Sequence, residues 1–189
     1  MKKFILSICA MIVALIAPAQ VDDIYGDPQL QPKTKKQVEK AIQTLTDSVD
    51  FLRAEMAMER GHFVMLFSNV KMDAMAPVRF DISDNTNFIV VQEDFGILQF
   101  AFPGLYSGPN GLGGFTVKGR LGNVKMEHGK NGDVHYSFVI RDSGMSAQVF
   151  ITLHKSGNYA SAFINPTFGS MQTTAHGRIL PYRNDKLPR

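Results

Sequence analysis

The chain has 189 residues, 44% hydrophobic and 20% charged, which is enough for one globular domain with a buried core. Its net charge of +3 includes Lys2 and Lys3 near the amino terminus, and without them 20 − 2 = 18 basic residues face 17 acidic ones. Nucleic-acid-binding proteins usually carry a clear basic excess. We therefore expect no nucleic acid as a partner.

The amino terminus has the three parts of a secretory signal peptide, residues 1–19. Lys2 and Lys3 precede an apolar run from Phe4 to Ile16, and Ala17-Pro18-Ala19 provides the small residues at which signal peptidase cleaves. The run is shorter than the ~20 residues that span a bilayer, so we expect no membrane span in the mature chain. We expect export to the periplasm, with an extracellular or outer-membrane-associated location as the alternatives.

The only cysteine, Cys9, lies inside this apolar run, and Ile8 before it does not fit a lipoprotein signal. Cleavage after Ala19 leaves a mature chain without cysteine. Disulfides, a thiol nucleophile and a thiolate metal site are then excluded, and stability must come from packing.

An amphipathic helix is predicted after a spacer of residues 20–33. Thr34-Lys35-Lys36-Gln37 has the capping-box pattern that starts a helix, and Gly61 is placed to end it. Between them apolar residues recur at spacings of three and four: Val38, Ala41, Ile42, Leu45, Val49, Leu52 and Met56. Because the polar side carries both charge signs, we expect this stripe to cover a sheet rather than to bind a membrane.

Short strands are predicted next. The apolar run from His62 to Phe67 indicates a strand buried on both faces, and the alternation from Val78 to Ile82 indicates an edge strand. A hairpin is predicted for Phe88 to Gln92 and Ile97 to Phe102, with its turn at Glu93 to Gly96.

A glycine-rich stretch from Pro103 to Gly119 separates this hairpin from the strands that follow. Its glycines and prolines are typical of turns, and no Lys-Ser/Thr pair follows them that would hold a phosphate. We interpret the stretch as a crossing between strands. The alternative is a loop that lines a binding surface, with these binding residues: Pro109, Asn110, Gly111, Gly113 and Gly114.

A meander of antiparallel strands is predicted from Phe115 onward. The apolar residues change phase at Gly122-Asn123, which indicates a β-bulge. Lys130-Asn131-Gly132 fits a hairpin loop. This loop predicts that Met126 lies beside Tyr136 and that Val124 lies beside Phe138 on the next strand. Ser143-Gly144 and Ser156-Gly157 fit two more turns. The last strand is predicted at Met171 to Leu180, inside a single domain of residues 34–182 with a polar tail of residues 183–189.

These turns assign the meander residues to two faces. The predicted core face contains Val134, Tyr136, Phe138, Ile140, Ala147, Val149, Ile151, Leu153, Ala160, Ala162 and Ile164. The other face contains His135, Ser137, Val139, Gln148, Phe150, Thr152, His154, Tyr159, Ser161 and Phe163, with Phe150 beside Phe163 and His154 beside Tyr159. Because a solvated face rarely carries so many rings, we expect it to be covered, by the helix in preference to a partner or a ligand.

Catalytic and metal-binding patterns are absent from the sequence. The five histidines have none of the spacings that assemble a zinc site. Ser143-Gly144-Met145-Ser146 lacks the strand-turn-helix context of a nucleophile elbow, and the carboxylates are concentrated in turns and on the helix. We expect no enzyme, no cofactor and no metal.

Three segments resemble a known family: Gly108-Pro109-Asn110-Gly111-Leu112-Gly113-Gly114, Thr116-Val117-Lys118-Gly119 and Ala147-Gln148-Val149-Phe150-Ile151-Thr152-Leu153. The chain is similar to an uncharacterised family of small secreted Bacteroidetes proteins, a domain of unknown function with a GPNGxGG loop. The likeness runs from about Thr34 to Pro181. It implies the envelope of a diderm bacterium and one compact, strand-rich domain, and it supplies no catalytic or ligand residues.

The expected fold is α+β and mainly β, with an amino-terminal helix on a strongly curved antiparallel sheet or partly closed barrel of about eight strands. The favoured function is a non-catalytic envelope module that binds a small apolar or amphipathic ligand or a polypeptide. The candidate residues are those of the loop and Phe150, Phe163, His154 and Tyr159. The alternative is an assembly component that docks on an envelope protein through an edge strand. A ligand-binding module needs a cavity, whereas an assembly component has a filled interior and an uncovered patch or edge.

Overall fold

The computed structural model describes residues 31–72, 79–101, 114–167 and 172–182. This part of the chain forms one helix, α1 (Gln31–Glu59), and nine strands. The strands are β1 His62–Met72, β2 Arg79–Asp81, β3 Phe88–Gln92, β4 Phe95–Phe100, β5 Phe115–His128, β6 Val134–Arg141, β7 Ser146–Leu153, β8 Tyr159–Pro166 and β9 Thr173–Pro181.

The strands form one antiparallel sheet in the order β2-β1-β3-β4-β5-β6-β7-β8-β9. β1 also pairs with β9, so that β1 and β3 to β9 close into an eight-stranded barrel. β2 is the predicted edge strand, and it pairs with Asn69 to Lys71 of β1, beyond the segment that pairs with β3. The predicted helix-plus-meander fold is confirmed, and the barrel is closed.

The predicted turn chemistry is also found. Gly132 adopts a left-handed φ of 89°, and the hairpin it forms pairs Met126 with Tyr136. The register of β5 with β6 shifts between Gly122 and Lys125, and Asn123 has a φ of 53°, which confirms the β-bulge. The predicted position of Val124 beside Phe138 is wrong. Val124 lies inside the bulge, whose extra residue leaves it 48% exposed whereas Phe138 is 2% exposed.

The two faces of the meander are assigned correctly. All eleven residues of the predicted core face are buried, and they pack in one cluster. Leu153 is fully buried and Phe150 is 42% exposed, so the two side chains lie on opposite faces.

Aromatic side chains of the barrel's own strands pack against one another in its interior. Phe67 stacks on Phe100 with ring centroids 5.0 Å apart, and Phe100 contacts Phe115 at 5.3 Å. Phe63 meets the edge of Tyr136 at 5.3 Å. Such offset and edge-to-face ring contacts stabilise a packed core beyond the area they bury.

Several boundaries differ from the prediction. α1 begins at Gln31 rather than at Thr34, because Pro32 is tolerated in the first helical turn, where its missing N–H costs no hydrogen bond. β1 extends to Met72, and only its inner side is fully buried, since Val64 is half-buried. β4 begins at Phe95, so the hairpin turn is shorter than predicted.

α1 ends as predicted at Gly61, which has a φ of 64° and donates its N–H to the Met58 carbonyl at 3.0 Å. The chain divides into two compact units, and the boundary lies within α1 between Thr44 and Leu45. The first unit is described only for residues 31–44, which are helical. The second contains the rest of α1 and the barrel.

The helix face that packs on the barrel is not the predicted one. Ala54, Ala57 and Met58 belong to the barrel core, and Phe51 packs against it. The predicted stripe is exposed, and its members in the barrel-containing unit, from Leu45 to Met56, lie on the opposite side of α1. The physical reason is the two-residue turn from Glu59 to His62, which fixes the rotation of α1 relative to β1.

Candidate functional site

α1 carries six large apolar side chains that are exposed to solvent. Each is 44–58% exposed, and their spacing alternates between four and three residues: Val38, Ile42, Leu45, Val49, Leu52 and Met56. We call these six residues the heptad stripe, because one step of each kind makes the seven-residue repeat of paired helices. Within the barrel-containing unit, Leu45, Val49, Leu52 and Met56 continue it to the end of α1.

The heptad stripe and the barrel lie on opposite sides of the second half of α1. At 100° per residue, Ala54 and Ala57 are centred roughly half a helical turn away from Leu45 and Leu52. Ala54 is fully buried, whereas Leu52 is 50% exposed. A second apolar element can therefore contact the stripe without displacing the barrel.

An aromatic strip lies on the outer face of β7, β8 and β9. The predicted pairs are formed: Phe150 lies across from Phe163 with ring centroids 6.3 Å apart, and His154 stacks on Tyr159 at 6.1 Å. His176 extends the stack beyond Tyr159 at 6.3 Å. The expectation that the helix covers this face is wrong, because α1 contacts the barrel core instead and Phe150 stays 42% exposed.

A hydrogen-bonded network adjoins the strip at the β5–β6 turn. The N–H of Lys155 donates to Asp133 Oδ1 at 3.1 Å, and Asn131 Nδ2 donates to Asp133 Oδ2 at 2.7 Å. The Lys155 hydrogen bond, supported by Asn131 and His154, holds the pKa of Asp133 below its ordinary 3.8. The network joins the β5–β6 turn to the β7–β8 turn.

The same network has the connectivity of a catalytic triad. Ser161 Oγ lies 3.3 Å from His154 Nε2, and His154 Nδ1 lies 3.7 Å from Asp133 Oδ2. The second distance exceeds a hydrogen bond, and Ser161 lies within β8, whose backbone is paired in the sheet. A triad also needs N–H donors for an oxyanion, and the described part of β8 offers Ser161 no such nest.

The pKa of Asp133 gives a stability prediction. A depressed folded pKa contributes stability that is present above the unfolded pKa and is lost as the pH falls through the folded pKa. We expect Asp133→Ala to be less stable than the wild type at pH 7, with a difference that narrows below pH 3.8. Urea unfolding at pH 7 and at pH 3 measures both differences, and a constant difference would contradict the assignment.

A second polar cluster ties α1 to the end of β5. His128 Nε2 and Glu55 Oε1 are 2.8 Å apart, and the ligand atoms of Glu55, Glu59 and His128 lie within 4.8 Å of one another. The sequence does not predict this cluster, because His128 is far from Glu55 and Glu59 along the chain. The only local signal is the four-residue spacing of Glu55 and Glu59, which places both on one side of a helix.

The loop candidates lie mostly outside the described residues: Pro109, Asn110, Gly111 and Gly113. Gly114 is described, and it is buried where β4 ends and β5 begins. A Cβ at Gly114 would lie 2.1 Å from the Phe100 carbonyl oxygen, so the backbones approach too closely for any other residue. Gly114 therefore has a structural reason to be glycine.

None of the helical residues in the described ranges forms a segment with the length and apolarity to cross a membrane. Comparison with curated proteins finds no match. Among solved structures, the chain is similar to the crystal structure of a DUF4251 family protein from Bacteroides eggerthii DSM 20697, with 36% sequence identity and a TM-score of 0.64. That likeness covers 73% of this chain and 91% of the other.

The family comparison agrees with this structural match. The family called Domain of unknown function (DUF4251) matches residues 46–179, which include the second half of α1 and nearly all of the barrel. The matched part covers well over half of the 189 residues. The chain belongs to the DUF4251 family.

Proposed function

We propose that the protein is a non-catalytic module of the cell envelope that binds an amphipathic helix of another polypeptide through the heptad stripe. The observation that carries this proposal is the 44–58% exposure of all six stripe residues, of which Leu45, Val49, Leu52 and Met56 lie on the side of α1 away from the barrel. Contiguous exposed apolar patches of this kind are typical of protein-protein interaction sites.

A polypeptide helix fits this surface better than a small ligand does. Small ligands are bound in concave pockets that bury most of their surface, whereas the stripe runs along a convex helix. The barrel interior, where a lipocalin-like ligand would bind, holds Phe63, Phe67, Phe100 and Phe138, each at most 2% exposed. An amphipathic helix offers the complementary shape, because apolar residues at heptad spacing pack between those of its partner.

Docking through an edge strand has less support. The pairing of β1 with β9 closes the ring, and a closed barrel has no free edges. Within the described ranges, β2 adds a short edge of three residues beside β1. Three residues offer few backbone hydrogen bonds to an added strand.

The envelope location rests on the sequence. Lys2, Lys3, the apolar run from Phe4 to Ile16 and Ala17-Pro18-Ala19 together predict export. Amino-terminal sequencing of the protein from its own cells is expected to begin at Gln20. A chain that begins at Met1 in the cytoplasmic fraction would contradict export.

The alternative hypothesis that Ser161 is a catalytic nucleophile can be tested directly. Because Asp133 is too far from His154 for a hydrogen bond, we expect Ser161 to remain unactivated. A fluorophosphonate probe is therefore expected to label the purified protein no faster than it labels the Ser161→Ala variant. Labelling that depends on Ser161 would identify a hydrolase and contradict the non-catalytic proposal.

The docking proposal is tested by photo-crosslinking in living cells. A benzoylphenylalanine at Val49 in the heptad stripe is expected to form an adduct, and mass spectrometry is expected to find the attached peptide in a helix with apolar residues at heptad spacing. The matched control carries the same group at Lys118, which is exposed on β5. Equal adducts at both positions, or none at Val49, would contradict the proposal.

A further inference from the structure

We propose that the helix bound by the heptad stripe is α1 of a second copy of this chain, in antiparallel orientation. This inference rests on the proposed function and specifies its partner. It depends on the residue types of the stripe, on the charges beside it and on the area it offers.

The stripe has apolar residues at both positions of a heptad repeat. Ile42, Val49 and Met56 occupy one position, and Val38, Leu45 and Leu52 occupy the other. In an antiparallel pair each residue of the first position packs against one of the second, so Ile42 lies beside Leu52 of the partner subunit and Val49 lies beside Leu45 of the partner subunit. Every contact along the stripe is then between large apolar side chains.

The charges at the ends of the stripe select the antiparallel orientation. The next heptad positions beyond Val38 and Met56 are Lys35 and Glu59. Both side chains are exposed, and the Glu59 carboxylate also adjoins Glu55 and His128. A parallel pair would place Lys35 beside Lys35 of the partner subunit and Glu59 beside Glu59 of the partner subunit, so that like charges repel. An antiparallel pair centred between Leu45 and Val49 places Lys35 opposite Glu59 of the partner subunit, and the second end repeats this contact.

A flanking pair favours the same orientation. Glu39 and Arg53 follow Val38 and Leu52 on the same edge of the stripe, so an antiparallel pair brings Glu39 next to Arg53 of the partner subunit. The Arg53 side chain is 65% exposed, and it already forms an ion pair with Asp50 at 3.8 Å on the same helix, so Glu39 of the partner subunit would be a second carboxylate beside it. The parallel arrangement would instead bring Arg53 to Ser48 of the partner subunit, which carries no charge.

The stripe offers part of the area that a specific pair needs. Six large apolar side chains, each 44–58% exposed, run along it, and the polar residues beside them add to the surface available toward the ~800 Å² per partner that a standard interface buries. The barrel of each copy contacts the other side of α1 through Ala54 and Ala57, so pairing requires no rearrangement of the barrel.

Oligomeric state tests the pairing. We expect sedimentation of the exported chain, from one to a hundred micromolar, to give twice the monomer mass. Leu45→Glu with Leu52→Glu is expected to give a monomer that keeps the strand-rich circular dichroism of the barrel. The control, Gln37→Glu with Gln43→Glu, adds the same charge off the stripe and is expected to remain dimeric.

Orientation is tested with single cysteines, since the chain after Ala19 has none of its own. An equimolar mixture of Ile42→Cys and Leu52→Cys chains is expected to form a disulfide-linked heterodimer under mild oxidation, and Ile42→Cys alone is expected to form none. A disulfide between two Ile42→Cys chains would show a parallel pair and overturn the proposal.

A monomeric wild type would also overturn the self-pairing. In that case a Val49 photo-adduct with a different polypeptide would leave the proposed function standing. If Val49 forms no photo-adduct at all, both the self-pairing and the proposed binding of a helix are contradicted.

Discussion

Phe67→Ala is expected to lower the free energy of unfolding by about 3–5 kcal/mol, the range for removing a fully buried phenylalanine. Phe67 is 0% exposed and stacks on Phe100 with ring centroids 5.0 Å apart. It is also the last residue of β1 before the register shift that separates it from Asn69. The closed barrel cannot collapse around the missing ring without disturbing its pairing, so most of the cavity remains.

Urea unfolding measures this loss, and Phe150→Ala is the matched control. Phe150 is a phenylalanine on the outer face, 42% exposed, and its removal is expected to cost less than about 1 kcal/mol. Because native domains are stable by only about 5–15 kcal/mol, Phe67→Ala removes a large share of the total. Equal losses for the two variants would contradict the assignment of the inner and outer faces.

Gly177→Ala is expected to lower the free energy of unfolding by at least about 2 kcal/mol, through overpacking rather than a cavity. A Cβ at Gly177 would lie 1.8 Å from the Leu66 carbonyl oxygen and 2.8 Å from its carbonyl carbon. These are backbone atoms of the β1–β9 pairing that closes the barrel, so neither strand can move aside without breaking the ring.

Gly144→Ala is the control for this effect. A Cβ at Gly144, in the β6–β7 turn, meets nothing within 4 Å, and the change is expected to stay within about 0.5 kcal/mol. Thermal unfolding of the two variants and the wild type gives the comparison. If Gly177→Ala is as stable as Gly144→Ala, the close approach of β9 to β1 is incorrect.

The carboxy-terminal half of the barrel could be predicted because its turns are short and chemically specific. Lys130-Asn131-Gly132 and Ser156-Gly157 fix the register of their hairpins, and the two-residue period of a strand then assigns every side chain to a face. The pairing of Phe150 with Phe163 follows from those turns alone. Closure through β1 and β9 joins distant segments and has no local signal.

The orientation of α1 could not be predicted for a different reason. The three-and-four spacing from Val38 to Met56 predicts an apolar face but not what covers it. The face that packs on the barrel includes two alanines, Ala54 and Ala57. A search for large apolar side chains at helical spacing does not find such a face. The short connection through Gly61 then decides which face turns inward.

The polar clusters depend on tertiary structure. Glu55 and His128 are far apart in sequence, and so are Asp133 and Ser161, which both approach His154. Each set comes together only because the turns at one end of the barrel adjoin each other and α1. The strand period predicts that the rings of Phe150 and Tyr159 share one face, and they do, but their exposure depends on where α1 lies.

We propose that a polypeptide helix covers the heptad stripe in the cell, while the barrel is complete without it. Maleimide labelling of exported single-cysteine variants in intact cells tests this, with Leu52→Cys in the stripe and Lys118→Cys on exposed β5. We expect Leu52→Cys to react several times more slowly than Lys118→Cys in cells, and urea to abolish the difference. Equal rates in intact cells would contradict it.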